Sequence, residues 1–270
     1  MAPSMKIYSW NMLYRNAELD RAFAFISESN FDIFCLQEVP EVFLKRLQTL
    51  DCEIAFRTDA ERISKNGDER IYVVILSKFP IAEVGEIAFT DYWLRYPLRS
   101  RAFTRLMKPL HFSKVLNRRA VFADLTLPNS SVAVRVFCIH LSLTNPALRR
   151  EEFETVMAHR DEARPMIVCG DFNILEAPHI TILNWIFGGR MSDVFLFRRE
   201  RANIERIFAK YTLRNALIGK MTHPLSHSQL DHILVSDSFS IGKSDACADR
   251  IGSDHRPVCA EVDIRKLDHI

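Results

Sequence analysis

Three observations predict an α/β class for this chain. Apolar runs of strand length, rich in Ile, Val and Phe, recur along it; amphipathic helical patterns separate some of them; and 270 residues with 48% hydrophobic content suffice for one large domain with a full core. No repeat, low-complexity stretch or Gly/Ser linker divides the sequence, so a single domain over 1–270 is expected. The first strand is Lys6–Trp10. The helical spacing of Leu19, Phe23 and Ile26 predicts a helix over Glu18–Ser29. Ile33–Gln37 and Tyr72–Leu76 follow as strands. Ala120–Leu125 and Val132–Ile139, joined through Pro128-Asn129-Ser130-Ser131, read as a hairpin. That hairpin brings antiparallel pairing into the fold, so a mixed sheet or pair of sheets is preferred to a purely parallel one. Asn145 as N-cap and Pro146 at the first helical position open a helix over Pro146–Arg160, with Leu148, Phe153, Val156 and Met157 as its buried stripe. Met166–Cys169, Leu230–Val235 and Val258–Ile264 complete the strands.

The ends of these runs carry the chemistry. The first ends in Ser9-Trp10-Asn11 and the second in Leu36-Gln37-Glu38. The strand to Ile139 ends in His140-Leu141-Ser142, and the next in Gly170-Asp171-Phe172-Asn173. Gln229-Leu230-Asp231-His232 opens another strand. The turn Ser253-Asp254-His255-Arg256-Pro257 precedes the last. One strand-end Asn or Asp is more often a turn or helix cap than a ligand, and a lone His140 is more often structural. Six such places at equivalent strand ends are harder to explain so. Gathered at one edge, they give an acidic cluster with amide and imidazole donors between the acids. Hard oxygen ligands of this kind suit Mg²⁺, or Mn²⁺, rather than zinc.

The segments SWNM at Ser9–Met12, LQEV at Leu36–Val39, IHLS at Ile139–Ser142, GDFN at Gly170–Asn173, QLDHILVS at Gln229–Ser236 and GSDHRPV at Gly252–Val258 resemble, in order, those of the endonuclease/exonuclease/phosphatase superfamily. The resemblance spans residues 9–258. It implies a four-layer α/β/β/α sandwich, two mixed sheets flanked by helices, and a divalent-metal hydrolase of phosphate esters. It also implies roles. Glu38 is the principal metal ligand with Asn11 beside it, and Asp254 is a direct or water-mediated ligand. Asp171 orients or deprotonates the attacking water. Asn173 and His140 hydrogen-bond the phosphoryl oxygens. His255 binds the phosphate or its transition state, and Asp231 orients the His255 ring. The chemistry is coherent by itself: a phosphodiester repels hydroxide, so charge must be neutralised and water positioned.

The substrate is less sharply written. Ser228-Gln229-Leu230-Asp231 lacks the Trp-Cys-Asp-Arg of the inositol 5-phosphatase branch. Met12-Leu13-Tyr14-Arg15 and Val39-Pro40 depart from the abasic-site endonucleases. Leu36–Pro40 is closer to the tyrosyl-DNA phosphodiesterase and general phosphodiesterase branches. The stretch Asp91–Arg119 is read as a basic-aromatic insertion. It carries Arg95, Arg99, Arg101, Arg105, Lys108, Lys114, Arg118 and Arg119 among Tyr92, Trp93, Tyr96, Phe103 and Phe112. Arg95, Arg99, Arg101, Arg105 and Arg119 are the candidate substrate contacts. Basic residues track a nucleic-acid backbone while aromatics stack on bases, which favours a nuclease or other phosphodiesterase. An anionic membrane surface is the alternative, because Leu98, Ala102, Leu106 and Leu110 fall at helical spacing between arginines; a phospholipid or small phosphate ester would then be the substrate. The third option for the stretch is a surface helix whose apolar face is core. A binding module that lost catalysis is a further possibility for the chain, disfavoured by the complete set of motif residues. Six cysteines without CxxC spacing, most inside apolar runs, predict reduced thiols. With no signal peptide and no run of 18 apolar residues, a cytoplasmic protein without a transmembrane segment is expected. No protein partner is inferable.

Overall fold

The structure is a computed structural model, and the residues it describes are 4–64, 67–106, 114–128, 132–196 and 198–265. Lys108, Leu110 and Phe112 of the basic-aromatic stretch lie outside the described residues, as do Asn129, Ser130 and Ser131 of the hairpin connection. The strands are β1 (Met5–Asn11), β2 (Ile33–Pro40), β3 (Glu53–Ser64), β4 (Gly67–Ser77), β5 (Ile81–Ala88), β6 (Lys114–Leu116), β7 (Arg119–Leu125), β8 (Val134–His140), β9 (Met166–Asp171), β10 (Leu213–Asn215), β11 (Asp231–Ser236), β12 (Phe239–Ala246) and β13 (Val258–Ile264). The helices are α1 (Leu19–Glu28), α2 (Glu41–Leu47), α3 (Leu98–Leu106), α4 (Pro146–Met157), α5 (Ile182–Ile186), α6 (Ser192–Phe195) and α7 (Arg199–Lys210).

Two mixed sheets form the centre. One runs β12-β13-β1-β2-β4-β3-β6, the other β10-β11-β9-β8-β7-β5. Alternation along the strands explains how they face each other. Met5 and Ile7 of β1 pack between the sheets with Cys35, Val136, Cys138, Ile167 and Cys169, while Tyr8 and Trp10 point outward under α1 and α2. The second sheet buries Phe137, Ile139 and Val168 against Phe153 and Val156 of α4 and Phe208 of α7. The order of layers is therefore α/β/β/α.

All eight expected strands and both expected helices are present, Val258–Ile264 with the expected ends and the others shifted, and β7 and β8 form the antiparallel pair. Asn145 caps α4, its Oδ1 accepting from the N–H groups of Ala147 and Leu148 at 3.2 Å. The buried face of α4 differs from the expected stripe. Leu148 is half-buried, while Arg149 and Glu152 are buried, Arg149 pairing with Glu200 at 2.6 Å and Glu152 with Arg118. In α3 the expected apolar stripe, Leu98, Ala102 and Leu106, is exposed. Ser100 and Thr104 are buried instead: the Ser100 hydroxyl donates to the Ile186 carbonyl at 2.6 Å and the Thr104 hydroxyl to that of Ser100 at 2.9 Å. No helix among the described residues is long and apolar enough to cross a membrane.

Candidate active site

Parallel pairing sets the first relationships. β1 lies beside β2 with Asn11 opposite Gln37, and β8 lies beside β9 with His140 opposite Asp171. At the end of β2 the ladder to β4 is broken by a bulge between Leu36 and Val39, and Glu38 adopts a positive φ of 54°. Such a bulge re-aims a side chain at the cost of local strain. Here the Glu38 Oε1 comes to 3.4 Å from Asn11 Nδ2, and the Tyr14 N–H donates to Oε2 at 3.2 Å. Antiparallel pairing of β11 with β9 puts Asp231 opposite Asp171. The turn before β13 is fixed by Ser253, whose hydroxyl donates to the Asn11 carbonyl at 2.8 Å and accepts from the His255 N–H at 3.0 Å.

Asp171 lies at the centre, buried. Its Oδ1 accepts from the Asn173 N–H at 2.8 Å and its Oδ2 from Asn11 Nδ2 at 3.0 Å. His140 Nε2 is 3.7 Å and His255 Nε2 3.6 Å from that same Oδ2. Behind each imidazole stands a buried carboxylate: Asp59 Oδ2 at 2.7 Å from His140 Nδ1, and Asp231 Oδ2 at 2.8 Å from His255 Nδ1. Burial opposes a charge on either ring, but the carboxylates outweigh it. Asp59 leads in raising His140 to about 9, and Asp231 leads in raising His255 to about 10. Both rings are therefore cationic at neutral pH and point an N–H at the cavity. Asn173 has φ 53° and donates its amide to the Leu141 carbonyl at 2.8 Å.

The structure thus brings Asn11, Glu38, His140, Asp171, Asn173, Asp231, Asp254 and His255 together. All but the buried Asp231 line one cavity of about 680 Å³. Two further residues complete it. Asp59 sits at a bulge in β3, a strand too charged to read as one, so sequence pattern gave no signal for it. His223 precedes a 3-10 turn at Pro224–Ser226; its Nε2 is 3.6 Å from Asp254 Oδ2 and its ring centroid 4.7 Å from that of His255. Burial would raise Asp254, but the hydrogen bond from His223 and the charge of His255 lower it to about 2. The candidate substrate arginines lie elsewhere, and none is among the described residues lining the cavity. Arg95 pairs with Glu151 at 2.5 Å and Arg119 with Glu86 at 3.0 Å. Arg99 donates to the carbonyls of Trp185 and Gly189, Arg101 donates to that of Tyr96, and Arg105 is exposed on α3. Among the described residues, the arginines on the cavity wall are instead Arg15, Arg62 and Arg118. Arg118 is buried, pairs with Glu152 and donates to the His140 carbonyl, so it braces the end of β8.

The donor set decides where a divalent cation fits. His223, Asp254 and His255 offer ligand atoms within 4.8 Å of one another. His223 Nδ1, however, accepts from the Ser226 N–H at 3.1 Å, so a neutral ring carries its proton on Nε2, facing Asp254. His255 carries a proton on both nitrogens. The two rings face this corner as donors, so the hard oxygen of the trio is that of the Asp254 carboxylate, a direct or water-mediated ligand. Glu38 differs from the rings: its carboxylate offers hard oxygen, with Asn11 Nδ2 beside it and Asn11 Oδ1 accepting from the Leu13 N–H at 3.1 Å, and one or two carboxylates with water are what Mg²⁺ takes. The residues fit the expected cation on the Glu38 side of the cavity.

The profile of the Endonuclease/Exonuclease/phosphatase family matches residues 8–255. The chain belongs to that family. Members of the endonuclease/exonuclease/phosphatase family include phosphatases, nucleases and phosphodiesterases, and they are generally divalent-metal dependent. An endonuclease/exonuclease/phosphatase from Beutenbergia cavernae is similar over 97% of this chain and 72% of its own, with 17% identity and a TM-score of 0.67. A mannosyl-6-phosphatase from Bacteroides thetaiotaomicron covers 97% and 100%, at 17% identity and a TM-score of 0.61. The catalytic domain of human Nocturnin, solved with a bound sulfate, covers 98% and 96%, at 17% identity and a TM-score of 0.57. These likenesses show the fold. No curated protein sequence matches the chain.

Proposed function

We propose that the protein is a Mg²⁺-dependent phosphodiesterase acting on nucleic acid. The observation that carries this reading is Asp171 Oδ2, set 3.7 and 3.6 Å from two carboxylate-backed imidazolium groups beside the Asn11–Glu38 corner. Glu38 and Asn11, with Asp254 directly or through water, would hold the metal, which when bound polarises the phosphoryl group and stabilises the leaving oxygen. His140, His255 and the Asn173 amide then donate to the phosphoryl oxygens as charge develops on them. Donors of this kind contribute on the order of 3 kcal/mol each. Asp171, held by Asn11 and the Asn173 N–H, orients or deprotonates the water for in-line attack. Asp231 fixes the His255 ring with Nδ1 protonated, and Asp59 does the same for His140.

The substrate follows from the walls. Tyr14, Arg15 and Arg62 line one side, a basic-aromatic surface suited to a nucleic-acid backbone and its bases. A second reading has its own observation: Leu143, Ile180, Leu183, Phe187 and Leu225 line the cavity too, an apolar surface that fits the organic group of a phospholipid. Turnover of bis-(p-nitrophenyl) phosphate with Mg²⁺ or Mn²⁺, abolished by EDTA and reduced at least a hundredfold in Asp171→Ala and His255→Ala, is the outcome the reading requires. Metal-independent or absent turnover would sink it. Labelled single- and double-stranded DNA, RNA and sphingomyelin vesicles, compared directly, separate the two substrates.

A further inference from the structure

The imidazolium groups and the Asn173 amide provide for one phosphate, yet the cavity carries two more cations. Arg62 comes from β3 and Arg15 from the segment after β1. Both guanidinium groups lie over the Tyr14 ring, with Cζ 4.1 and 5.0 Å from its centroid respectively. Among the described residues neither forms an ion pair with a carboxylate. This distinguishes them from Arg118, which Glu152 neutralises, and from the arginines of 95–119 that pair on the outer surface. Two like charges over one ring repel each other, and the attraction of each to the aromatic face is modest. An arrangement of that kind leaves its counter-charge to a ligand. The lip is also placed by the site itself, since the Tyr14 N–H donates to Glu38 Oε2 at 3.2 Å.

Resting on the reading as a phosphate-ester hydrolase, we propose that Arg15 and Arg62, held on Tyr14, receive a second phosphate of the substrate, besides the scissile one. A guanidinium fork matches phosphate oxygens two at a time, and charge-assisted bonds of this kind are about twice as strong as neutral ones. Stacking restricts the guanidinium groups beforehand, which lowers the entropy lost on binding. The shared chemistry is a second phosphate besides the ester that is cleaved, found in a nucleic-acid strand and in a sugar bisphosphate.

The test compares two substrate pairs, each differing by one phosphate: a thymidine dinucleotide with and without a terminal phosphate, and glucose 1,6-bisphosphate with glucose 6-phosphate. kcat/KM and calorimetric Kd are measured for the wild type, Arg15→Gln, Arg62→Gln and the double variant. In at least one pair the extra phosphate should favour the wild type by about tenfold or more, a gain that weakens with added salt and shrinks below about threefold in the double variant. A gain in the dinucleotide pair assigns a strand, and one in the sugar pair a small bisphosphate. A wild type indifferent to the extra phosphate in both pairs, or a gain that survives in the double variant, overturns the clamp. Arg15 is exposed, so Arg15→Gln decides the matter if Arg62→Gln does not fold. The calorimetric comparison stands without turnover. Failure to hydrolyse any ester would therefore remove the phosphate-ester hydrolase reading, while the binding ratio separately decides the fate of the clamp.

Discussion

Burial alone would leave His140 neutral at pH 7, because a charge loses its hydration in the interior. Asp59, itself buried and 2.7 Å away, reverses that balance and holds the ring cationic to about 9. Replacing Asp59 with Asn removes the charge and keeps the shape. The His140 ring should then titrate below its wild-type value of about 9, with Asp171 and Glu38 still raising it. An NMR titration of the ring in Asp59→Asn checks this, and a midpoint unchanged from the wild type would contradict it. His232 is the opposite case within the same chain. Burial, and then the charge of Arg201, whose Nη1 donates to His232 Nε2 at 2.5 Å, push it well below the usual histidine range. Of these three histidines, the two with carboxylates behind them face the cavity, and the one held by an arginine is structural. Sequence contained His140, His232 and His255 in equal clarity. What separates them is a partner contributed from a distant strand or helix, and no local pattern announces it.

Strand β9 shows how an element sets the site. Gly170 has φ 147°, and a Cβ there would lie 1.8 Å from the Ile139 carbonyl oxygen on β8. Any side chain must push β8 and β9 apart at the step that pairs His140 with Asp171. Gly170→Ala should cost on the order of 3 kcal/mol in denaturant unfolding and lose most activity; an unchanged midpoint would show that the strands yield freely. Elements of this type were legible, because β1, β2, β8, β9, β11 and β13 are apolar runs with polar ends. β3 was not: Glu53, Arg57, Asp59, Glu61 and Arg62 interrupt its pattern, so Asp59 and Arg62 went unread with it. α3 was legible by period and not by direction. Its leucines satisfy the helical spacing, but the hydroxyls of Ser100 and Thr104 find carbonyl partners and take the buried face. His223 stood in a turn with no periodicity at all.

For the whole molecule, the two imidazolium pairs link stability to pH. The folded chain holds protons on His140 and His255 to about 9 and about 10, whereas unfolded histidines release them near 6.5. The folded state therefore binds more protons across that window, so stability falls as pH rises through it. The contribution is complete below about 6.5 and lost once pH passes both folded values. With EDTA present, Tm should drop on the order of 5 °C between pH 6.5 and 10, and the drop should be smaller in Asp231→Asn. An equal drop in that variant would assign the loss to other groups. The layered architecture carries a last implication. Asn11 and Glu38 belong to one sheet, while His140, Asp171 and Asp231 belong to the other, and hydrocarbon from Ile7, Val136 and Ile167 separates the two. The thickness of that greasy layer is thus the ruler between metal corner and phosphate donors. A methylene added or removed there, far from any reacting atom, would retune the gap across which the chemistry takes place.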